Sequence, residues 1–122
     1  MKVDTHVILM PDTQRNWWEE CRGSLEGESI NLHIVKGVKG HIGKGRVEGF
    51  NRGTSPYISY VDPDDLVIKG AFQACIDVLD KTPEACGAYT SEYLINEKGA
   101  TIRPGFWHES DWNPLSHIPH PQ

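Results

Sequence analysis

Cysteine is scarce in this chain: Cys21, Cys75 and Cys86 are the only three among 122 residues. An odd number at such uneven spacing builds neither a disulfide framework nor a paired-cysteine zinc site, so all three are expected as reduced, mostly buried thiols. Long apolar runs are missing too. The N-terminal stretch Val7-Ile8-Leu9-Met10 is four residues long, far below the roughly 20 that a bilayer requires. No small-residue cleavage site follows it, so the expectation is no membrane span, no secretory signal and a cytoplasmic, intracellular location. An excess of positive charge is also absent. Twelve basic residues face 17 acidic ones, for a net charge of −5, which argues against bulk nucleic-acid binding.

What is present describes one ordinary globular unit. With 38% hydrophobic and 24% charged residues, residues 1–122 are expected to form a single domain large enough to enclose a core. The charge is unevenly spread. Lys36, Lys39, Lys44, Arg46 and Arg52 are opposed only by Glu48 in a glycine-rich stretch of an otherwise acidic chain, a local field suited to a small anion; a solvated basic loop is the plain alternative.

Periodicity orders the elements. Val7 to Met10 predicts a buried strand stopped by Pro11-Asp12, and Trp17, Cys21 and Leu25 share one face of a helix from Asn16, its expected cap, to Leu25. Ile30, Leu32 and Ile34 alternate as a second strand through Val35. After the loop of Gly37, Gly40, Gly43 and Gly45, a short helix is expected over 46–52 and a strand over 57–61. Ile68, Phe72, Cys75, Ile76 and Leu79 predict a helix over 66–80, with Asp64 or Asp65 as its cap. Another strand is expected over 87–95, a turn at Asn96-Glu97-Lys98-Gly99, and an antiparallel return at 101–103. Residues 104–122 form a tail rich in proline and histidine. Strands alternating with helices imply an α/β, Rossmann-like three-layer sandwich with a mainly parallel sheet.

Asp62-Pro63-Asp64-Asp65 falls between the clearest strand and the clearest helix, where open α/β sheets bind ligands. Three carboxylates so close repel one another unless a hard cation such as Mg²⁺ or Mn²⁺ or a helix N-terminus compensates them. Asp62 and Asp64 are therefore candidate ligands of a cation bridging to a diphosphate. Other frames fail. Counting from Asp62, an EF-hand would need glycine at Val67 and glutamate at Gln73, and a phosphate loop from Gly37 to Lys44 is one residue too long. No serine stands in a nucleophile elbow. His117 and His120 are a possible metal pair, with a solvated tail as the alternative.

These residues carry a resemblance. Val7-Ile8-Leu9-Met10-Pro11 with Arg15, Cys21 and Ser24-Leu25, then Arg46 sixteen residues before Asp62, Asn51-Arg52-Gly53, and Tyr57-Ile58-Ser59-Tyr60-Val61-Asp62-Pro63-Asp64-Asp65 resemble the inverting glycosyltransferase family 2. Tyr89 to Gly99 is similar to that family's next strand and turn, and Ser110-Asp111-Trp112-Asn113-Pro114-Leu115 to a segment after it. The resemblance implies a GT-A fold, a UDP- or GDP-linked sugar donor, an unknown acceptor, and Mn²⁺ or Mg²⁺ at a DxD motif. Pro11, Asp12, Thr13 and Arg15 would line the nucleotide pocket, and Arg46 would face the base or diphosphate. Lys36 stands where the family carries a base-contacting aspartate. Asp62 would contact ribose or metal and Asp64 the metal, with His120 as a further metal candidate. Family members normally continue well beyond this length, so the expectation is a minimal, truncated member whose acceptor half comes from a partner or a second copy, or in which Asp111 is the catalytic base. The alternative is a catalytically impaired nucleotide-binding domain or interaction module of the same fold. Trp17, Trp18, Trp107 and Trp112 would stack on sugar or else pack in the core.

Overall fold

The computed structural model describes residues 2–104. The tail, with Trp107, Asp111, Trp112, His117 and His120, lies outside the described residues. In chain order the elements are β1 (Val3–Leu9), α1 (Arg15–Leu25), β2 (Ile30–Lys36), α2 (Ile42–Phe50), β3 (Ile58–Tyr60), α3 (Ala71–Lys81), β4 (Tyr93–Ile95) and β5 (Thr101–Pro104). The first three strands make a parallel sheet in the order β2-β1-β3, and β4 and β5 pair antiparallel as a separate hairpin. The α/β class and parallel sheet are those expected.

β1 is the central strand, covered on both faces. On one face Val7 packs with Cys21 and Leu25 of α1, joined by Leu9, Trp18, Leu32, Val61 and Phe72 of α3. On the other, α2 lies close because two of its three glycines face the sheet. A Cβ at Gly49 would stand 3.0 Å from His6 Cδ2, and one at Gly45 3.3 Å from Ile8 Cγ2. The helix therefore tolerates poor glycine propensity in exchange for close packing.

Several boundaries differ from the expectation, each for a local reason. β1 starts at Val3 rather than Val7, because Asp4, Thr5 and His6 are buried despite their polarity. Asp4 accepts hydrogen bonds from Ser55 N (2.7 Å), His33 Nε2 (3.0 Å) and Asn31 Nδ2 (3.3 Å), and Thr5 Oγ1 pairs with Ser59 Oγ at 2.8 Å. α1 begins at Arg15 after Gln14, so Asn16 is inside the helix and caps nothing. α2 begins four residues earlier than expected and ends at Phe50.

α3 begins at Ala71 and not at Leu66. Gly70 takes a left-handed φ of +85° immediately before it, and the Glu28 carboxylate receives the backbone N–H groups of Gly70 (2.9 Å) and Phe72 (3.4 Å). A side chain from the α1–β2 loop thus caps α3, and neither Asp64 nor Asp65 does. The strand expected over 87–95 contracts to Tyr93–Ile95. Of the cysteines only Cys21 is buried; Cys75 is half-buried and Cys86 exposed. Among the described residues no helix is long and apolar enough to cross a membrane.

Candidate functional site

The chain leaves β1 toward β2 on one side and returns through α2 to β3 on the other. The carboxyl ends of β1 and β3 thus diverge at a topological switch point, the place where open parallel sheets form ligand crevices. A cleft of about 370 Å³ opens there, lined by Asp12, Thr13, Arg46, Tyr60, Asp62 and Asp64, with Ile8, Met10 and Ile42 as apolar walls and His6 among its lining. That size is at the lower end of small-molecule sites. Thr13 Oγ1 accepts the Met10 N–H at 2.8 Å and fixes the turn after β1, while the Tyr60 hydroxyl donates to the Arg46 carbonyl at 2.8 Å and ties β3 to α2.

The acidic turn after β3 closes with Asp65 N–H donating to the Asp62 carbonyl at 3.0 Å. One carboxylate oxygen each from Asp62, Asp64 and Asp65 lies within 4.8 Å of the others, and all three residues are exposed. Desolvation raises the Asp65 carboxyl above its ordinary pKa, helped by the charges of Asp64, Asp62 and Glu92. Since Glu28 serves the N-terminus of α3, capping does not account for this cluster. Three oxygen donors on one short turn suit a hard divalent cation and its remaining waters or phosphate oxygens.

The cluster is also anchored from below. The Cys21 thiol donates to the Asp62 carbonyl at 3.6 Å, and its pKa is raised to about 11, first by burial and then by the three aspartates. A wider groove of about 830 Å³ between α3 and the hairpin shares Trp17 and Asp64 with the cleft.

Five of the sequence-derived site residues converge on the cleft: Asp12, Thr13, Arg46, Asp62 and Asp64. Pro11, Arg15 and Lys36 are not among its lining. Pro11 sits exposed in the turn after β1, Lys36 is the exposed last residue of β2, and Arg15 extends into solvent to pair with Glu19 at 3.0 Å. Trp18 packs against the core and takes the Arg22 guanidinium 5.9 Å above its ring, whereas Trp17 is half-buried and lines the cleft. Asp111 and His120 lie outside the described residues.

Sequence reasoning missed His6. It is fully buried, its ring stacks on His33 with centroids 4.9 Å apart and lies 5.4 Å from the Tyr60 ring, and neither ring nitrogen has a hydrogen-bond partner among the described residues. Burial, reinforced by the His33 and Arg52 charges and opposed by Asp4, lowers its pKa, so the ring is neutral near pH 7. An unsatisfied buried polar group costs about 1–3 kcal/mol. No local signal marked it, because the polar Asp4-Thr5-His6 segment precedes the apolar run from which the strand was read, and only the structure places it inside β1.

Compared with family models, with curated proteins and with solved structures, the chain matches none.

Proposed function

We propose that this chain binds a nucleoside-diphosphate sugar in the cleft at the carboxyl ends of β1 and β3, through Mn²⁺ or Mg²⁺ held by Asp62 and Asp64 with Asp65 beside them, as the donor-binding domain of a GT-A-type glycosyltransferase. The observation that carries the reading is convergence: Asp12, Thr13, Arg46, Asp62 and Asp64 come from three separate loops and helices yet line one crevice. Carboxylates alone would repel a diphosphate. Arg46 in the same lining, and the start of α2 at Ile42 with its positive dipole end, supply the complementary field. A cation bound at the aspartates would screen the negative charge that develops on a departing diphosphate.

In this reading Asp12 and Thr13, in the turn after β1, contact the ribose and base, and Ile8, Met10 and Ile42 pack on the flat face of the base. Transfer to an acceptor further needs a carboxylate that removes the acceptor's proton. Asp111 is proposed for that role.

Calorimetric titration of UDP and GDP, with Mn²⁺ and then with EDTA, tests the reading on the wild type and Asp64→Ala. Cation-dependent binding that the substitution weakens at least about tenfold supports it. Binding unchanged by EDTA, or none of either nucleotide, overturns it. Release of UDP from a UDP-sugar in the same preparation separates the transferase from a domain that only binds the donor.

A further inference from the structure

α2 buries its glycines and exposes its apolar side chains. Gly45 and Gly49 face the sheet, while Val47 and Phe50 are 62% and 63% exposed. At about 3.6 residues per turn, Val47 and Phe50 share with Gly43 the side of the helix that points away from the sheet, and Lys44 and Arg46 flank that stripe. The result is a short apolar ridge bounded by two cations, on a face that a surface helix ordinarily leaves polar. The surrounding segment is basic as well. Lys36, Lys39, Lys44, Arg46 and Arg52 are opposed only by Glu48, which is already paired with Arg52 at 2.7 Å.

The groove between α3 and the hairpin has the opposite character. It encloses about 830 Å³, its apolar walls include Phe72 and Tyr93, and five carboxylates line it: Glu20, Asp64, Asp65, Glu92 and Glu97. No lysine, arginine or histidine is among its lining residues. The three ion pairs among the described residues are Arg15–Glu19, His33–Asp4 and Arg52–Glu48, so none of these carboxylates is neutralised, and neither Lys44 nor Arg46 is. The acids act on one another: burial first, and then the charges of Asp64, Asp62 and Glu92, raise the Asp65 carboxyl.

Ridge and groove cannot meet within one chain. Gly45 and Gly49 set α2 on the face of β1 that carries His6 and Ile8, whereas Phe72 of the groove packs with Val7, Cys21 and Leu25 on the opposite face. That placement also excludes a two-fold pair in which each copy fills the other, because reciprocal docking needs both surfaces on one side. What remains is contact from the head of one copy to the tail of the next.

We infer that this chain self-associates head to tail, the α2 ridge of one copy seated in the acidic groove of the next, with Val47 and Phe50 against the groove's aromatic walls and Lys44 beside its carboxylates. Lys44, Val47, Phe50 and Glu92 lie outside the lining of the cleft, so the contact does not depend on what the cleft binds. α2 is nine residues long, about 14 Å. A contact built on it is small, below roughly 1,200 Å² in total, and the association should be weak, concentration-dependent and sensitive to salt. Growth through such a contact does not close at the dimer.

Sedimentation equilibrium tests this on the wild type, Lys44→Glu and Glu92→Lys, both substitutions at exposed positions. The wild-type mean mass should rise with concentration past that of a dimer in about 0.05 M salt and fall toward the monomer in about 0.5 M. Each variant alone should dissociate at least about tenfold more readily, because like charges then meet. Mixed in equal amounts they should form a 1:1 pair that grows no further, since Glu92→Lys keeps the ridge and Lys44→Glu keeps the groove. Amide NMR of the unsubstituted protein needs no variant to fold: on dilution, residues 43–50 and 92–97 should shift together. A wild type that stays monomeric at about 1 mM, or whose mass levels off at the dimer, overturns the inference. So do variants that associate like the wild type, a mixture of the two folded variants that stays monomeric, and dilution shifts confined to one of the two surfaces.

Discussion

Replacing Asp4 by asparagine probes the polar support beneath the cleft without creating a cavity. Asp4 uses both carboxylate oxygens as acceptors: Oδ2 takes the Ser55 N–H at 2.7 Å, and Oδ1 takes His33 at 3.0 Å and Asn31 at 3.3 Å. An amide has one accepting oxygen, so whichever way it turns its NH₂ faces a donor. At least one of the three charge-assisted hydrogen bonds is lost, at least one donor is left unpaired and the bonds that remain become neutral, for a total of about 2–3 kcal/mol. With a urea m-value near ~2 kcal/mol/M, the midpoint followed by Trp17 and Trp18 fluorescence should fall by about 1–1.5 M.

The pH dependence has a definite sign. The Ser55 N–H first, and then His33, hold the Asp4 carboxyl below its ordinary value of 3.8 in the folded protein. Its contribution is therefore complete above the unfolded pKa and disappears as pH falls through the lower folded one. The gap between wild type and Asp4→Asn should be flat above about pH 5 and close below about pH 4. A midpoint change under about 0.3 M, or a gap that closes between pH 6 and 7, would refute the reasoning.

Other consequences are separately measurable. Since Asp64 caps no helix, Asp64→Ala should leave stability in EDTA within about 0.5 kcal/mol of wild type or raise it slightly, and should abolish any Mn²⁺-dependent rise in Tm; a loss of ~1 kcal/mol without metal would return Asp64 to a capping role. Gly53 has φ +86°, and a Cβ there would collide with the Asp4 carboxylate. Gly53→Ala should thus destabilise by at least about 2 kcal/mol in a thermal melt, whereas a loss below ~1 kcal/mol would mean the loop relaxes freely. Thiol labelling at pH 8 should modify exposed Cys86 quickly and Cys21 only on unfolding, because the Cys21 thiol is buried with its pKa at about 11. Rapid native labelling of Cys21 would show that α1 opens readily from the sheet.

Elements dominated by one periodicity were legible in the sequence. Trp17, Cys21 and Leu25 located α1, alternation at Ile30, Leu32 and Ile34 located β2, and the Asn96–Gly99 turn located the hairpin. Helix period misled at α3, because Leu66 and Ile68 fit its spacing but are exposed, cut off from the helix by the left-handed Gly70. Composition misled at β1 and α2. Asp4, Thr5 and His6 look too polar for a central strand until their partners from residues 31–33 and 55–60 are in place, and Gly43 and Gly45 read as loop although α2 includes them, Gly45 lying against Ile8 of the strand beneath.

The site divided along the same line. Asp62 and Asp64 were singled out because their chemistry is local to one motif, Asp12 and Thr13 through the family resemblance, and all four line the cleft. His6 gains its meaning only from three strands stacked side by side, a relation that no short window contains.

Paramagnetic broadening by Mn²⁺ in amide NMR spectra, recorded with and without UDP or GDP, tests the central claim most directly. The account predicts broadening centred on Asp62, Asp64 and Asp65 that spreads to Asp12, Thr13 and Arg46 and is displaced by Mg²⁺. Broadening that avoids these residues, or that scatters over the acidic surface regardless of nucleotide, would contradict it.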